Sequence, residues 1–452
     1  MRELLEDASQ RAIAYLEGLD RRPVSPEAKA IERLGELDIP FPHDGLQPEA
    51  VLKTLDELGS PATVASAGGR FFGFVIGGSV PATIAAGWLA GAWDQNACLR
   101  TASPIGAKLE DVAMRWLLDA LDLPADTATG FVTGATMANF TALAAARHAL
   151  LSRRGWDVEA KGLFGVPELK VVVGGEVHVS VLKALSMLGL GRERLVRVPV
   201  DSQGRMRADA LPAIEDMTLV CVQAGNVNTG AFDPAAEISR VAHKAGAWVH
   251  VDGAFGLWAR ACPSRKYLGE GLEEADSWAT DAHKWLNVPY DSGLTFCRNE
   301  EHLRAAMSST AAYLLRSEVR EPNDYTPELS RRGRGVEVWA ALLSLGRRGL
   351  ADMIERDCRM AERFAARLSQ AGYQILNDVC LNQVLVSFGE PAITRRVIAE
   401  LQREGTAWFG GTVWQGKTAM RISVSSWATT EHDVDLSVEA IQEAVQIARS
   451  AA

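Results

Sequence analysis

The sequence predicts an α/β protein in which a mostly parallel central sheet is covered by helices on both faces and followed by a smaller C-terminal α+β lobe. Three observations carry that expectation. Short, apolar, β-rich runs alternate with helical stretches through the middle of the chain. After about residue 347 the pattern changes to a long helix, then strands, then a final helix. And 452 residues with 47% hydrophobic and 23% charged side chains hold ample apolar material for a sizeable core.

Residues 1 to about 60 read as short helices broken by Pro23, Pro26, Pro40, Pro42 and Pro48, so 1–78 is expected to be an N-terminal helical arm with little core of its own. From Pro81 to Leu121 two apolar helical stretches are separated by a turn at Ser103-Pro104, and the second stops at Leu123-Pro124. Strands are expected at Lys170 to Val173, Leu195 to Val198, Leu219 to Val222, Trp248 to Val251, Ser277 to Thr280 and Leu294 to Cys297, with helices between them. The large domain is expected over 79–347. The small one, 348–452, opens on a helix from Leu350 to Gln370 and closes on another after Thr430. Between Ser308 and Arg334 the polar stretch with Pro322 and Pro327 reads as a mobile lid or a rigid crossing.

A net charge of -10 leaves no extended basic face, which argues against nucleic acid and anionic membrane as partners. The six cysteines show no CxxC and no Cys/His ligand spacing, so neither a disulfide framework nor a metal site is indicated. The first residues form an amphipathic helix and not a signal peptide, and no apolar run reaches the ~20 residues that span a bilayer. A cytoplasmic location is the expectation.

Four local features sit at strand ends or helix starts, where an open α/β sheet places its ligands. In GFVTGATMANFTAL, Gly134, Ala135 and Thr136 open an apolar helix whose free N–H groups suit a phosphate, although such a start is also an ordinary N-cap. In WVHVDGAFG an apolar strand ends in Asp252, a carboxylate able to bond a protonated ring nitrogen or simply to begin a turn. In SWATDAHKWLNVPYDSG, Lys284 follows His283 straight after a strand, and a lysine in apolar surroundings can form a Schiff base with an aldehyde. In GGEVHVSVLKALSMLG, His178 leads into a helix and could stack on a flat ring or relay a proton.

Together these stretches resemble the group II pyridoxal-dependent decarboxylases, the family of aromatic-amino-acid, histidine and glutamate decarboxylases. RFFGFVIGG, TASPIGAKLE, FVTGATMAN, EVHVSVLKA, GNVNTGAFDP, WVHVDGAFG, DAHKWLNVPYDSG, LSRRGRGVEVWAAL and MRISVSS match in the family's order over most of the chain. The resemblance implies pyridoxal 5'-phosphate as cofactor and the aspartate-aminotransferase-like fold, fold type I. It also implies a homodimer with active sites at the subunit interface and residues 1–78 as its clasp. By that resemblance Lys284 looks like the lysine joined to the cofactor, Asp252 like the partner of its ring nitrogen and His178 like the imidazole on its ring. Ala135, Thr136 and His283 look like phosphate contacts, and Gln223 and Ala254 sit where the family touches the ring. Tyr313 and Tyr325 are the candidate proton donors.

Two departures from the family pattern bear on the substrate, which is expected to be a small molecule, an amino acid. The usual Ser-Gly-Gly turn reads Thr133-Gly134-Ala135. Around 96–101, where aromatic-specific relatives place bulky apolar residues, this chain has Asn96, Cys98 and Arg100, which leaves room for a polar or acidic side chain. Arg421 is a candidate partner for the substrate carboxylate, or else a structural ion pair.

The implied activity is decarboxylation of an L-amino acid to its amine. Other reactions of the same cofactor, by an aldolase-type lyase, an aminotransferase or a decarboxylative aldehyde synthase, are the alternative. A non-enzymatic binding protein would have no reason to keep these residues together. Gly411 to Thr418, GTVWQGKT, also spells the Walker A pattern, but the strand-like AMRISVS after it predicts a hairpin turning at Gln415-Gly416 and not a phosphate loop.

Overall fold

The computed structural model of the chain describes residues 1–309 and 319–450. It divides into two compact units. One comprises Ser79–Arg359 with Asn377–Gln383; the other comprises Met1–Gly78, Met360–Leu376 and Val384–Ala452.

The first unit holds a seven-stranded sheet of β1 (Ala128–Val132), β2 (Lys170–Gly174), β3 (Val196–Val198), β4 (Thr218–Gln223), β5 (Trp248–Asp252), β6 (Ser277–Asp281) and β7 (Gly293–Cys297). Their order is β1-β7-β6-β5-β4-β2-β3. Strands β3, β2, β4, β5 and β6 run parallel, while β7 lies antiparallel between β6 and β1. Strands β1, β5, β6 and β7 are buried at every residue, as a sheet covered on both faces requires. Six strands fall within a residue of the sequence expectation. The seventh, β1, is absent from it because Ala-Thr-Gly-Phe-Val carries a glycine at its centre and too little β-branched character to stand out.

Registers set the working edge of this sheet. Gln223 pairs with Asp252, and Asp252 with Ala279, so the carboxyl ends of β4, β5 and β6 come level. Helix Ala135–Ser152 leaves the same edge from β1 and packs against β5, β6 and β7. Its Ala138, Ala142, Ala144, Ala145, Ala146 and Ala149 are fully or almost fully buried, and small side chains let backbone and sheet approach closely.

Helix Pro81–Trp93 is the apolar stretch the sequence predicts, yet only Thr83 is buried. The described part of 308–334 is a fixed crossing. Arg320 donates to the Thr129 carbonyl (2.7 Å), the Asn323 N–H to the Cys98 carbonyl (3.0 Å), and Arg331 makes a buried two-pronged pair with Glu110 (2.6 and 2.9 Å).

A second, antiparallel sheet has β8 (Gln374–Ile375), β9 (Gln383–Ser387), β10 (Gly410–Trp414) and β11 (Lys417–Ser423) in the order β10-β11-β9-β8. In the unit of Met1–Gly78, the Val24 N–H donates to the Gly405 carbonyl (2.7 Å) and the Phe72 N–H to that of Trp408 (2.8 Å). Phe72 also packs edge-on to Phe364 and stacks on Phe409. No helix among the described residues is long and apolar enough to cross a membrane.

Candidate active site

At the level edge of β4, β5 and β6, a narrow cleft is lined by His178, Val181, Cys221, Gln223, Asp233 and Asp252. Three of the sequence candidates meet there. Asp252 ends β5 and is buried; its Oδ1 accepts the Ala254 N–H (3.2 Å) and its Oδ2 lies 3.4 Å from Ser180 Oγ. His178 caps helix Val179–Met187 through Nδ1, which accepts the Ser180 N–H (3.2 Å). Gln223 is fixed by Asp233, which accepts the Gln223 N–H at 2.7 Å, and by Asn226, whose Nδ2 donates to Gln223 Oε1 (3.1 Å). Burial pushes the Asp233 carboxyl up to about 6.

Beside this cleft β6 delivers a second group of residues. Asp281, almost fully buried, accepts the Ala135 N–H at the start of helix Ala135–Ser152 (2.5 Å) and holds Lys284 Nζ at 2.9 Å. The Asp281 N–H bonds the Ala254 carbonyl (2.9 Å), so two short links join the Lys284 amine to the loop that carries Asp252. The Lys284 side chain is 19% exposed, open on one side yet held by its ion pair. His283 accepts the Ser292 N–H at Nδ1 (3.0 Å), which leaves the ring proton on Nε2, 3.4 Å from Asp281 Oδ1. Burial holds this imidazole below its usual range, hence neutral, and Tyr290 stacks on it with centroids 4.2 Å apart.

The start of helix Ala135–Ser152 is shaped for close approach. A Cβ on Gly134 would meet His283 Cε1 at 3.0 Å and Asp281 Oδ1 at 3.2 Å, so a glycine is what this crowded turn admits. Thr136 is half-buried on the first turn. The Ser292 hydroxyl is buried with no hydrogen-bond partner among the described residues. Helix N–H groups, an orphaned hydroxyl, an amine and a buried carboxylate together suit a phosphorylated aromatic aldehyde with a ring nitrogen.

Asn96 and Arg100 are held by other partners. Asn96 Oδ1 accepts the N–H groups of Cys98 (3.2 Å) and Arg331 (3.1 Å), and Asn96 lines a separate cleft with Trp93, Ser330 and Arg331. Arg100 is engaged by Asp111 (2.9 Å) and the Arg320 carbonyl (3.0 Å). Arg421 sits on β11 opposite Gly410, partly buried, with its guanidinium pKa pushed down by burial and no carboxylate partner among the described residues. Tyr313 lies outside the described residues.

Tyr325 requires a correction. Its ring is in the core with Leu143, Cys297 and Leu303, Arg320 stacks on it at 4.3 Å, and its hydroxyl bonds Glu300. Cys297 pairs with Ser277 and Ala128, the first residues of β6 and β1, so Glu300 lies beyond the amino edge of the sheet. A five-residue strand, roughly 15 Å, separates that edge from Asp252. Tyr325 is a packing residue and not a proton donor at this cleft.

The sequence reading missed Ser292 and, above all, Asp281. It stands three positions before Lys284 inside a stretch already singled out, and a carboxylate ending a buried strand was the available signal.

The pyridoxal-dependent decarboxylase conserved domain matches residues 35–389. Tryptophan decarboxylase 1 of Oryza sativa subsp. japonica is 27% identical over 482 residues, covering 98% of this chain and 93% of its own length. Aromatic-L-amino-acid decarboxylase of Bacillus atrophaeus is 27% identical over 474 residues, covering 99% and 96%. The crystal structure of Oryza sativa TDC with PLP and tryptamine shares the fold with a TM-score of 0.90 at 24% identity, covering 99% of this chain and 97% of that one. With the match running over most of its length, this chain belongs to the pyridoxal-dependent decarboxylase family, and its cofactor is pyridoxal 5'-phosphate.

Proposed function

We propose that the chain removes the α-carboxyl group of an L-amino acid as carbon dioxide and leaves the corresponding amine. The observation that carries this is the shared carboxyl edge of β4, β5 and β6, which gathers Gln223, Asp252, Asp281 and the turn to Lys284 in a decarboxylase-family chain. When bound, pyridoxal phosphate supplies an aldehyde for covalent capture of an amine and a ring that takes up the electron pair left by the departing carboxylate. In this reading Lys284 Nζ is the amine that holds the cofactor, and Asp281 positions it. Asp252 keeps a proton on the ring nitrogen. Ala135, Thr136, Ser292 and His283 hold the phosphate, while His178, Gln223 and Ala254 border the ring.

The substrate is proposed to carry a polar side chain, because Asn96 and Cys98 stand where aromatic-specific relatives carry apolar bulk. A homodimer is proposed as the working form. Support comes from helix Pro81–Trp93, whose Trp88, Leu89 and Trp93 are 47%, 56% and 41% exposed, an apolar face that a second copy would cover. In the dimer, residues 1–78 act as a clasp and active sites lie at the interface. Light scattering should give twice the chain mass, and Leu89→Glu should lower it. A cytoplasmic location is proposed on the six unpaired cysteines.

The test is direct. Purified protein should show the visible absorbance of lysine-bound cofactor, lose it in Lys284→Ala, and release carbon dioxide and amine from a subset of amino acids. Colour without carbon dioxide from any amino acid would reject decarboxylation in favour of another reaction of the same cofactor. An aldehyde in place of the amine would make the chain an aldehyde synthase.

A further inference from the structure

Beneath the cleft runs a line of buried polar side chains that the proposed reaction does not use. Trp248 Nε1 donates to Ser277 Oγ (2.9 Å), which lies 2.9 Å from His250 Nδ1. His250 Nε2 lies 2.8 Å from Asn139 Oδ1, and Asn139 Nδ2 donates to Ser180 Oγ (3.3 Å). Ser180 Oγ ends the line, 2.8 Å from His178 Nδ1 and 3.4 Å from Asp252 Oδ2. Trp248, Ser277, His250, Asn139, Ser180 and Asp252 are all buried. Period-two alternation puts Trp248, His250 and Asp252 on one face of β5, and the starts of helices Ala135–Ser152 and Val179–Met187 bring Asn139 and Ser180 to it.

The donors and acceptors allow one direction. An indole N–H only donates and an amide oxygen only accepts, so His250 donates from Nε2 to Asn139 and accepts at Nδ1 from the Ser277 hydroxyl. Burial pushes the His250 pKa down to about 3, so this ring is neutral and has a single N–H to give. Asn139 then fills one acceptor site of Ser180, whose own hydroxyl proton is left facing His178 and Asp252. The Ser180 N–H also points at His178 Nδ1 (3.2 Å), which marks that nitrogen as an acceptor.

We propose that Ser180 is a positioning residue for the decarboxylation, ending a one-way hydrogen-bond chain from Trp248 and sharing its hydroxyl proton between His178 Nδ1 and Asp252 Oδ2. The inference rests on the roles proposed above for His178 and Asp252. It fixes His178 as the Nε2–H tautomer, so any proton His178 gives must leave from Nε2. It also gives Asp252 a second donor beside the Ala254 N–H, one donor for each carboxylate oxygen. Strand β5 thereby carries both the carboxylate and the far end of the line that orients it.

The experiment is nitrogen NMR of the full-length protein labelled in its histidine rings, with and without pyridoxal phosphate, alongside steady-state kinetics. In the wild type, His178 and His250 should both carry their proton on Nε2. Ser180→Ala should let His178 populate the Nδ1–H form and lower kcat roughly tenfold with KM little changed, the scale of one lost hydrogen bond to a charged or reacting group. Ser180→Thr, which keeps the hydroxyl, should restore both. A wild-type His178 protonated on Nδ1 overturns the proposal. So does His250 protonated on Nδ1, since the line would then run the other way, and so does a Ser180→Ala enzyme with unchanged tautomer and kcat. The wild-type spectra decide the direction even if Ser180→Ala does not fold. Correct tautomers without carbon dioxide release would overturn the decarboxylase reading and leave the hydrogen-bond assignment standing, so the two failures are distinguishable.

Discussion

Gly134-Ala135-Thr136 and Gly416-Lys417-Thr418 are both short glycine-threonine segments of the kind that bind phosphate, and the backbone treats them differently. The first leads from a buried strand into an eighteen-residue helix, so its N–H groups point forward without strand partners, and the Ala135 N–H meets the Asp281 carboxylate. The second lies on a two-residue hairpin, with Gln415 and Gly416 at φ 46° and 82° and Trp414 opposite Lys417. That geometry is the type I′ turn that joins twisted strands, and the register from Gly410 to Arg421 places the following residues in the ladder. The letters of a phosphate motif therefore count only where the fold keeps the backbone donors out of a strand ladder. Lysines follow the same rule: Lys284 is ion-paired beside a cleft, whereas Lys417 is exposed on β11.

The largest test of this contrast exchanges each lysine for alanine. Lys284→Ala should abolish the cofactor's visible absorbance and cut carbon dioxide release by at least about a thousandfold, as loss of a covalent-catalysis group does. Lys417→Ala should keep both within about twofold, as exposed substitutions do. Loss of activity in Lys417→Ala would break the comparison.

Acid should separate the two regions next. Burial holds His250 at about 3 against an ordinary 6.5, so between those values the unfolded chain binds a proton that the fold refuses. The stability this gives is full above pH 6.5 and is lost as pH falls toward 3, by about 1.4 kcal/mol per pH unit. The histidines of the hairpin's unit, His43 and His432, are exposed. Hydrogen-exchange protection in helix Ala135–Ser152 should therefore fall before that in β10 and β11 between pH 7 and 4. Equal losses would show that His250 does not govern the response.

Two glycine substitutions sharpen the contrast at smaller cost. Gly134→Ala pushes a methyl to 3.0 Å from His283 and should raise the pyridoxal phosphate Kd about tenfold in an absorbance titration, since a crowded core site yields poorly. Gly416→Ala places a side chain at φ 82° and should cost about 1 kcal/mol in denaturant unfolding while leaving cofactor affinity unchanged. An unaltered Kd in Gly134→Ala would mean that the cradle has slack.

Much of this site is legible in the chain because its residues end local patterns. Asp252 closes an apolar strand, His178 caps a helix, and Lys284 follows β6 by three residues, so a linear reading places each at the edge where ligands bind. Asp281 has a similar position, but its meaning depends on Ala135, 146 residues away, and no local pattern specifies that meeting. Tyr325 fails for the opposite reason. A polar loop suggests exposure, whereas long-range packing against Leu143 and Leu303 buries the ring and turns its hydroxyl to Glu300.

By itself the sequence determined the α/β class, six of the seven central strands, the hairpin at Gln415-Gly416 and the residues that end the strands bordering the cleft. Those follow from periodicity, turn chemistry and motif order, all of which act between near neighbours. Tertiary structure alone decided that β1 pairs with an antiparallel β7, which glycines stand in tight places, and which buried polar atoms meet. The bonds from His250 to Asn139 and from Ser180 to Asp252 span 111 and 72 residues. Strand order and register fix such partners, because a hydrogen bond requires its two atoms within about 3 Å and only the assembled sheet sets that distance.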